Sequence, residues 1–99
     1  MEKIILTANI IILPGFEEEV KKATIALAAE TRKETGCELF LVHTRNDSPQ
    51  NIVFYEIYHS EDAFGQHKAF AHSKRFFEFV KGKIKDDKIE VIFLTKLVS

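Results

Sequence analysis

The sequence predicts an α+β fold of the ferredoxin-like type, with the order β-α-β-β-α-β in a single domain over residues 1–99. Three observations lead to this prediction. Four short segments are rich in β-branched and aromatic residues, as strands are. Two longer segments repeat apolar residues at helical spacing. Turn-forming residues separate these segments, and a chain of 99 residues suits one domain with its own core.

The first strand is predicted over residues 4–13, a mostly β-branched run that stops before Pro14-Gly15. A helix follows, because the acidic residues 17–19 place negative charge at a helix N-terminus. Gly36 is suited to the end of this helix. Its buried stripe is predicted from four apolar residues at helical spacing: Phe16, Val20, Ala23 and Leu27.

The middle of the chain indicates a hairpin. Strand two is predicted over residues 37–44 and strand three over residues 52–58, with a cluster of turn residues at 46–49 between them. Ser60 then follows as a candidate cap for the second helix, because its hydroxyl can accept a backbone N–H. The hairpin and the helix therefore follow each other almost without a linker.

The second helix carries two histidines, His67 and His72, and is expected to bend near His72 and to end at Gly82. In a straight helix, two residues five positions apart lie about 140° apart around the axis. Both imidazoles can reach one pocket only if this helix bends. The last strand is predicted over residues 89–98.

The first and last strands in the chain are apolar on both faces, which a sheet covered by helices on one side does not require. Strand one, for example, carries Leu6 and Ile10 on one face and Ile5 and Ile11 on the other. A second cover is needed, and another copy of the same sheet can supply it. We therefore expect a two-fold homodimer with its sheets face to face.

Composition excludes several classes of protein. Fourteen basic and fifteen acidic residues alternate without a basic stripe, which argues against a nucleic-acid partner. The apolar N-terminal run is too short to span a membrane. The single cysteine, Cys37, forms no intrachain disulfide and fits a reducing compartment, so we expect a cytoplasmic protein. The four histidines lack metal-ligand spacing, and no metal site is predicted.

Polar side chains interrupt these apolar elements at a few positions, among them Asn9, Glu56, Tyr58, His67 and His72. An unpaired polar group costs roughly 2–7 kcal/mol when it is removed from water. These residues therefore either satisfy one another in the core or line a cavity for a polar ligand. The second alternative predicts a small-molecule site.

Three motifs in this order resemble the antibiotic biosynthesis monooxygenase domain, and the resemblance covers essentially the whole chain. They are Glu34-x-Gly36-Cys37-x-x-Phe40, then Phe54-Tyr55-Glu56-x-Tyr58, then Ala63-Phe64-x-x-His67-x-x-x-x-His72. The resemblance implies a dimeric α+β barrel with a pocket between sheet and helices. It also implies oxidation of a phenolic or quinol-like compound by molecular oxygen, without a metal or flavin cofactor.

The chain departs from parts of the family pattern. Several members have a tryptophan where this chain has Tyr58, and the haem-degrading branch has a histidine near the position of Phe77. These departures argue against haem degradation. Asn9 matches a polar position of strand one that several members use.

The predicted catalytic residues are His67, Glu56 and Asn9. His67 can exchange protons near neutral pH, so it is the candidate base. Glu56, on strand three, would orient His67, and Asn9 would hold a substrate oxygen. For each of them a structural role is the alternative: a Glu–His pair that fixes the helix, or an amide bonded to backbone or to the dimer partner. Predicted substrate-binding residues are Tyr58, His72 and Phe64, although Tyr58 could simply pack and His72 could cap a helix.

Three functions remain open from the sequence. The first is a cofactor-independent monooxygenase, the second is an isomerase or lyase that uses the same acid–base pair without oxygen, and the third is a non-catalytic dimer that binds a small ligand. Cys37 is expected to be a small buried residue, because no neighbouring base that would activate its thiol is evident.

Overall fold

The computed structural model describes residues 2–98, which form a four-stranded antiparallel sheet with three helices. This architecture confirms the predicted ferredoxin-like α+β fold. The elements, in chain order, are β1 (Ile4–Ile11), α1 (Glu17–Thr31), β2 (Cys37–Thr44), β3 (Asn51–Tyr58), α2 (Glu61–Ala69), α3 (Ala71–Val80) and β4 (Glu90–Leu94), with a 3₁₀ turn at Lys85–Asp87 before β4.

Two strands are shorter than the sequence predicts. β1 ends at Ile11, and the chain continues only as an isolated bridge between Ile12 and Ile84. β4 ends at Leu94, so the apolar residues beyond it lie outside the sheet, with Leu97 almost fully exposed. An apolar sequence alone does not extend a strand where no neighbouring strand offers hydrogen bonds.

The strand order β2-β3-β1-β4 places β1 and β3 in the centre of the sheet. Leu6 of β1 and Phe40 of β2 flank Glu56 of β3 in register, so this carboxylate lies in the middle of the sheet. All three side chains are buried. They face the helices, whose residues Val20 and Phe76 belong to the same apolar core.

The opposite face, called here the outer face, consists of the alternate residues of each strand. One row across it contains Leu41, Tyr55, Thr7 and Ile92, which are neighbours in register. Leu41 is 38% exposed and Ile92 48% exposed. Ile5 and Ile11 of β1 and Ile92 and Leu94 of β4 also lie on this face, so both strands carry apolar residues on their two faces.

Helices α2 and α3 are two helices because the backbone changes direction at Phe70. This residue has extended backbone angles, φ −63° and ψ 148°. Its N–H donates to the carbonyl of Gln66 and its carbonyl accepts from Lys74, so it ends one helix and begins the next. The bend that the sequence predicts near His72 thus occurs two residues earlier. Between residues 2 and 98, no helix has the length and apolar character needed to cross a membrane.

Glycine is required at position 36, where the chain passes the start of α2. A Cβ built on Gly36 would lie 2.5 Å from the Cβ of Ala63, closer than real Cβ atoms approach. The carbonyl of Gly36 also accepts a 2.9 Å hydrogen bond from the backbone N–H of His59. The segment before β2 is therefore held tightly against α2. The hydroxyl of Ser60 accepts from the N–H of Ala63, as the predicted cap requires.

Candidate active site

A buried carboxylate lies between the two imidazoles of the helical layer. Oε2 of Glu34 is 2.9 Å from Nδ1 of His67 and 2.6 Å from Nε2 of His72. The Glu34 side chain is only 4% exposed. Because an ionised carboxylate only accepts hydrogen bonds, both imidazole nitrogens donate to it. The tautomer of His67 is thereby fixed, with its proton on Nδ1 and its acceptor at Nε2.

Each member of this cluster comes from a different element. Glu34 lies in the turn after α1, where its N–H donates to the carbonyl of Thr31 and its carbonyl accepts from Cys37. His67 belongs to α2 and His72 to α3. The change of direction at Phe70 brings the second imidazole to the same oxygen as the first. A continuous helix would point the two rings about 140° apart.

A second polar pair lies on β3, on the other side of the His67 ring. The hydroxyl of Tyr58 donates a 2.6 Å hydrogen bond to Oε1 of Glu56. The same oxygen is 4.0 Å from Nε2 of His67. The rings of Tyr58 and His67 lie with their centroids 4.9 Å apart. His67 is therefore enclosed by Glu34 at one nitrogen and by Glu56 at the other.

Burial shifts the pKa values of three groups in this cluster. Burial raises the pKa of Glu56 to about 7, against the opposing effect of the hydrogen bond from Tyr58. Burial also lowers the pKa of His67, although the hydrogen bond to Glu34 opposes this shift. The pKa of Tyr58 lies well above its usual value, first because of burial and then because of the Glu56 charge. Tyr58 is thus a hydrogen-bond donor.

A small cavity of about 90 Å³ lies between the sheet and helices α2 and α3. Its polar lining includes Glu56, His67 and Ser73. The Oγ atom of Ser73 is fully buried and has no hydrogen-bond partner within the part of the chain that the structure describes. The rest of the wall is mostly aromatic and aliphatic, including Phe40, Phe54, Phe64, Phe76, Phe77 and Val91. The cavity therefore suits a small, largely apolar molecule with polar groups at one end.

The family model for antibiotic biosynthesis monooxygenases matches residues 3–78 of the chain. The chain belongs to this family. Family membership supports a monooxygenase-like role, and the three motifs described above fall inside the matched range. Among curated proteins, no match was found.

Solved structures with similar folds include three that cover nearly the whole chain. Rv0793 from Mycobacterium tuberculosis has a TM-score of 0.91 and 20% identity, over 99% of this chain and 98% of its own. PA3566 from Pseudomonas aeruginosa has a TM-score of 0.91 and 22% identity, with 99% and 97% coverage. The crystal structure of an antibiotic biosynthesis monooxygenase has a TM-score of 0.90 and 20% identity, with 96% and 99% coverage. At these identities the likeness establishes the fold.

For two of the predicted catalytic residues, the structure differs from the geometry that the sequence led us to expect. Asn9 lies on the outer face, opposite Val53, and borders a surface depression there with Arg45 and Asn51. It cannot reach the cavity on the helical side. The residue that holds His67 is Glu34, at hydrogen-bond distance, while Glu56 is 4.0 Å away and is bonded to Tyr58.

The predicted binding residues fall in three different places. Phe64 lines the cavity, and its ring stacks on that of His67 with centroids 6.5 Å apart. Tyr58 is completely buried behind the cavity. His72 lines a separate groove between α1 and α3. Cys37 is half-buried, and burial raises the pKa of its thiol to about 11, so the thiol is protonated at neutral pH.

Glu34 and Ser73 are the site residues that the sequence analysis did not select. Glu34 does stand in the first motif of the family resemblance, and that motif was its only signal. The two histidines that bind it follow 33 and 38 positions later in the chain. For Ser73 the sequence carries no signal, because a serine in an amphipathic helix is ordinary.

Proposed function

We propose that this protein is a cofactor-independent monooxygenase that oxidises a small phenol or hydroquinone with molecular oxygen. The observation that carries the proposal is the His67 ring, whose Nδ1–H is bonded to Glu34 and which lines an aromatic cavity. A base oriented by a carboxylate beside an apolar pocket suits the ionisation of a substrate hydroxyl.

In the first step, a substrate hydroxyl gives its proton to Nε2 of His67. The resulting imidazolium is stabilised by the neighbouring Glu34 carboxylate. The phenolate that remains is bound in a cavity where Ser73 Oγ–H can donate to one of its oxygens. A donor aimed at developing negative charge lowers the barrier in such a site.

The second step uses the reducing power of the phenolate itself. It transfers an electron to O₂, and the semiquinone radical and superoxide combine to form a carbon–oxygen bond. The peroxide takes the proton from His67. Loss of the ring C–H proton with cleavage of the O–O bond then releases water and leaves a carbonyl. For a hydroquinone, the balance is quinol plus O₂ to hydroxyquinone plus H₂O.

The cavity walls support this chemistry because they limit the size of the substrate and exclude water from the cavity. Phe40 and Phe54 contact each other with ring centroids 5.8 Å apart, and Phe76 packs against Phe54 at 6.4 Å. Aromatic walls of this kind exclude water from a reactive anion. A volume of about 90 Å³ favours a substrate with one ring, or one ring of a larger substrate.

The test is oxygen uptake by chelator-treated protein with a panel of hydroquinones in air. We expect at least one substrate to consume O₂ faster than its spontaneous oxidation, with one hydroxyquinone formed per O₂. His67→Ala should return the rate to the spontaneous one. If the enzyme raises the rate of oxygen uptake above the spontaneous rate with none of the substrates, the proposed monooxygenase reaction is wrong.

Turnover under nitrogen would favour a different reaction at the same site. Nε2 of His67 and Oε1 of Glu56 lie 4.0 Å apart, so the pair can remove a proton from one atom of a substrate and return it to another. An isomerase or lyase would need only this pair. The oxygen dependence of product formation therefore distinguishes it from the monooxygenase.

We further propose that the protein acts as a homodimer whose outer faces meet. The row formed by Leu41, Tyr55, Thr7 and Ile92 is apolar at its ends and exposed, as an interface core is before association. Self-pairing of one apolar patch gives two-fold symmetry.

Sedimentation velocity at micromolar concentration tests this assembly. We expect the wild type at twice the chain mass of 11.4 kDa. The double variant Leu41→Lys/Ile92→Lys should sediment as a single chain, because charges at the centre of an interface oppose association. Ile25→Lys is the matched control, since Ile25 is 72% exposed on α1, away from the sheet. A monomeric wild type would contradict the proposal.

A further inference from the structure

We propose that Glu34, His67 and His72 also form a binding site for a divalent cation of the zinc type. Oε2 of Glu34, Nδ1 of His67 and Nε2 of His72 all lie within 4.8 Å of one another. Two imidazoles and one carboxylate are a ligand set that proteins use for zinc with one coordination position left open.

Small side-chain movements would fit the three ligand atoms around the ion. Bonds of about 2.0–2.1 Å in tetrahedral coordination place ligand atoms roughly 3.3 Å apart. The observed separations from Oε2 are 2.6 Å to His72 and 2.9 Å to His67. Zinc geometry would need side-chain rotations that lengthen these two separations by roughly 0.4–0.7 Å and bring the two imidazole nitrogens, which lie within 4.8 Å of each other, to the same spacing. Because each ligand comes from a different segment, these rotations are independent.

The charge of the cluster favours a cation. The Glu34 side chain is only 4% exposed to solvent. Among residues 2–98, no Lys or Arg nitrogen lies within 4.0 Å of its carboxylate. Its two hydrogen-bond donors are both imidazoles, and neither of them carries a permanent charge. A buried anion without a permanent counter-charge is costly. A divalent ion between the three side chains would remove that cost.

The surroundings supply two further features of metal sites. Nε2 of His67, the nitrogen away from the cluster, faces Oε1 of Glu56 at 4.0 Å. Histidines that bind metals usually donate their other N–H to such a carboxylate, and a shift of roughly 1 Å would form this bond. Glu56 is therefore placed as an outer-shell partner of His67.

An entry path leads to the cluster through His72. Its side chain is 16% exposed and borders the groove of about 590 Å³ between α1 and α3. Glu30 and Glu78 also line this groove, with Arg75 as the one opposing charge among the described lining residues. A hydrated cation can thus approach from the groove and keep a water on its open position, on the side away from the aromatic cavity.

Metal binding would switch off the base proposed above, and this part of the inference rests on the proposed function. Zinc would take the lone pairs of Nδ1 of His67 and Nε2 of His72. The proton of His67 would therefore move to Nε2, and the proton of His72 would move to Nδ1. Each imidazole would bind the ion in its neutral form, with its remaining proton on the nitrogen away from the ion. Nε2 of His67 then carries a proton and cannot accept one from a substrate. Zinc-loaded protein should therefore be inactive.

Isothermal titration with Zn²⁺ alone tests the site without any substrate. We expect one ion per chain in chelator-treated wild type, and Co²⁺ should give the visible absorption of a four- or five-coordinate ion. His72→Asn and Glu34→Gln should weaken binding more than about 100-fold, since even outer-shell changes cost 10–100-fold. His43→Asn and His59→Asn are the matched controls and should bind like the wild type.

Two results would overturn the inference: wild type without saturable zinc binding, or binding that survives in both His72→Asn and Glu34→Gln. Circular dichroism of each variant checks that it is folded. If a variant does not fold, the ring ¹⁵N signals of His67 and His72 in wild type decide, because metal binding must move Nδ1 of one and Nε2 of the other. These measurements need no turnover, so they can fail or succeed independently of the monooxygenase.

Discussion

The two faces of the sheet use the same strands in opposite ways. On the helical face, the polar side chains of Glu56 and Tyr58 are buried and bonded to each other, next to His67. On the outer face, the apolar side chains of Leu41 and Ile92 are exposed to solvent. Alternation along a strand separates the two sets completely, because successive side chains point to opposite faces.

This difference shows how one small sheet can hold a reactive site and an association surface at once. Polar groups on the helical face must be paired, since an unpaired buried group is costly. Apolar groups on the outer face need only a partner surface. A change on one face should therefore leave the properties of the other largely intact, and the following predictions test that separation.

The largest expected effect is on turnover when His67 is removed. Given an active substrate, His67→Ala should lower kcat by about 10²–10⁴, the usual contribution of a general base. His43→Ala is the control on the outer face of β2, where the side chain is exposed. Steady-state kinetics of both variants should show a loss only for His67→Ala. Equal losses would mean that the two faces are not independent.

The next effect is on stability when the shared carboxylate is removed. Glu34→Ala leaves Nδ1–H of His67 and Nε2–H of His72 without their acceptor, so the free energy of unfolding should fall by about 2–4 kcal/mol. Glu30→Ala removes only an exposed pair with Lys33 and should cost less than about 0.5 kcal/mol. Urea unfolding of both variants measures the contrast. A Glu34→Ala protein as stable as Glu30→Ala would show that the cluster does not hold the helices.

Replacing either of two glycines by alanine should change the free energy of unfolding by a smaller amount, and the two changes should have opposite signs. Gly36→Ala would force a Cβ to 2.5 Å from Ala63, so we expect a loss of about 1–3 kcal/mol from overpacking. Gly65 lies in α2 with no atom within 4 Å of a built Cβ, so Gly65→Ala should stabilise the protein by up to about 1 kcal/mol. Thermal unfolding should separate the two variants on either side of wild type. A stabilising Gly36→Ala would mean that α2 can move away from β2 at no cost.

The smallest effect is expected at Asn9. Because its side chain lies on the outer face, Asn9→Ala should leave both kcat and KM at wild-type values in the same assay. Glu56→Gln, on the helical face of β3, is the contrasting variant and should lower kcat. A clear loss of activity in Asn9→Ala, with the dimer intact, would show that the outer face contributes to catalysis.

The fold was predictable from the sequence because periodicity and turn residues agreed along the chain. Residues 37–44, for instance, form β2 with the predicted bounds. The end of β4 was not predictable in the same way. Residues after Leu94 are apolar enough for a strand, but whether a strand continues depends on a neighbouring backbone that the local sequence does not reveal.

The site was predictable only in part, for a related reason. In β1, alternation separates Asn9 from Leu6, but both faces are apolar, so the sequence does not show which one faces the helices. The role of Glu34 was not predictable, because its two partners lie 33 and 38 positions away in the sequence. His67 was found because an imidazole in an apolar helical stripe is conspicuous without knowledge of its partner.

The change of direction at Phe70, called here the joint, fixes the number of residues that can connect α2 and α3. Adding or removing one residue there would turn α3 by about 100° relative to α2, while both helices could still form. His72 would then point away from Glu34, although no functional side chain had been altered. Descendants of this sequence can thus exchange residues at the joint more freely than they can gain or lose one.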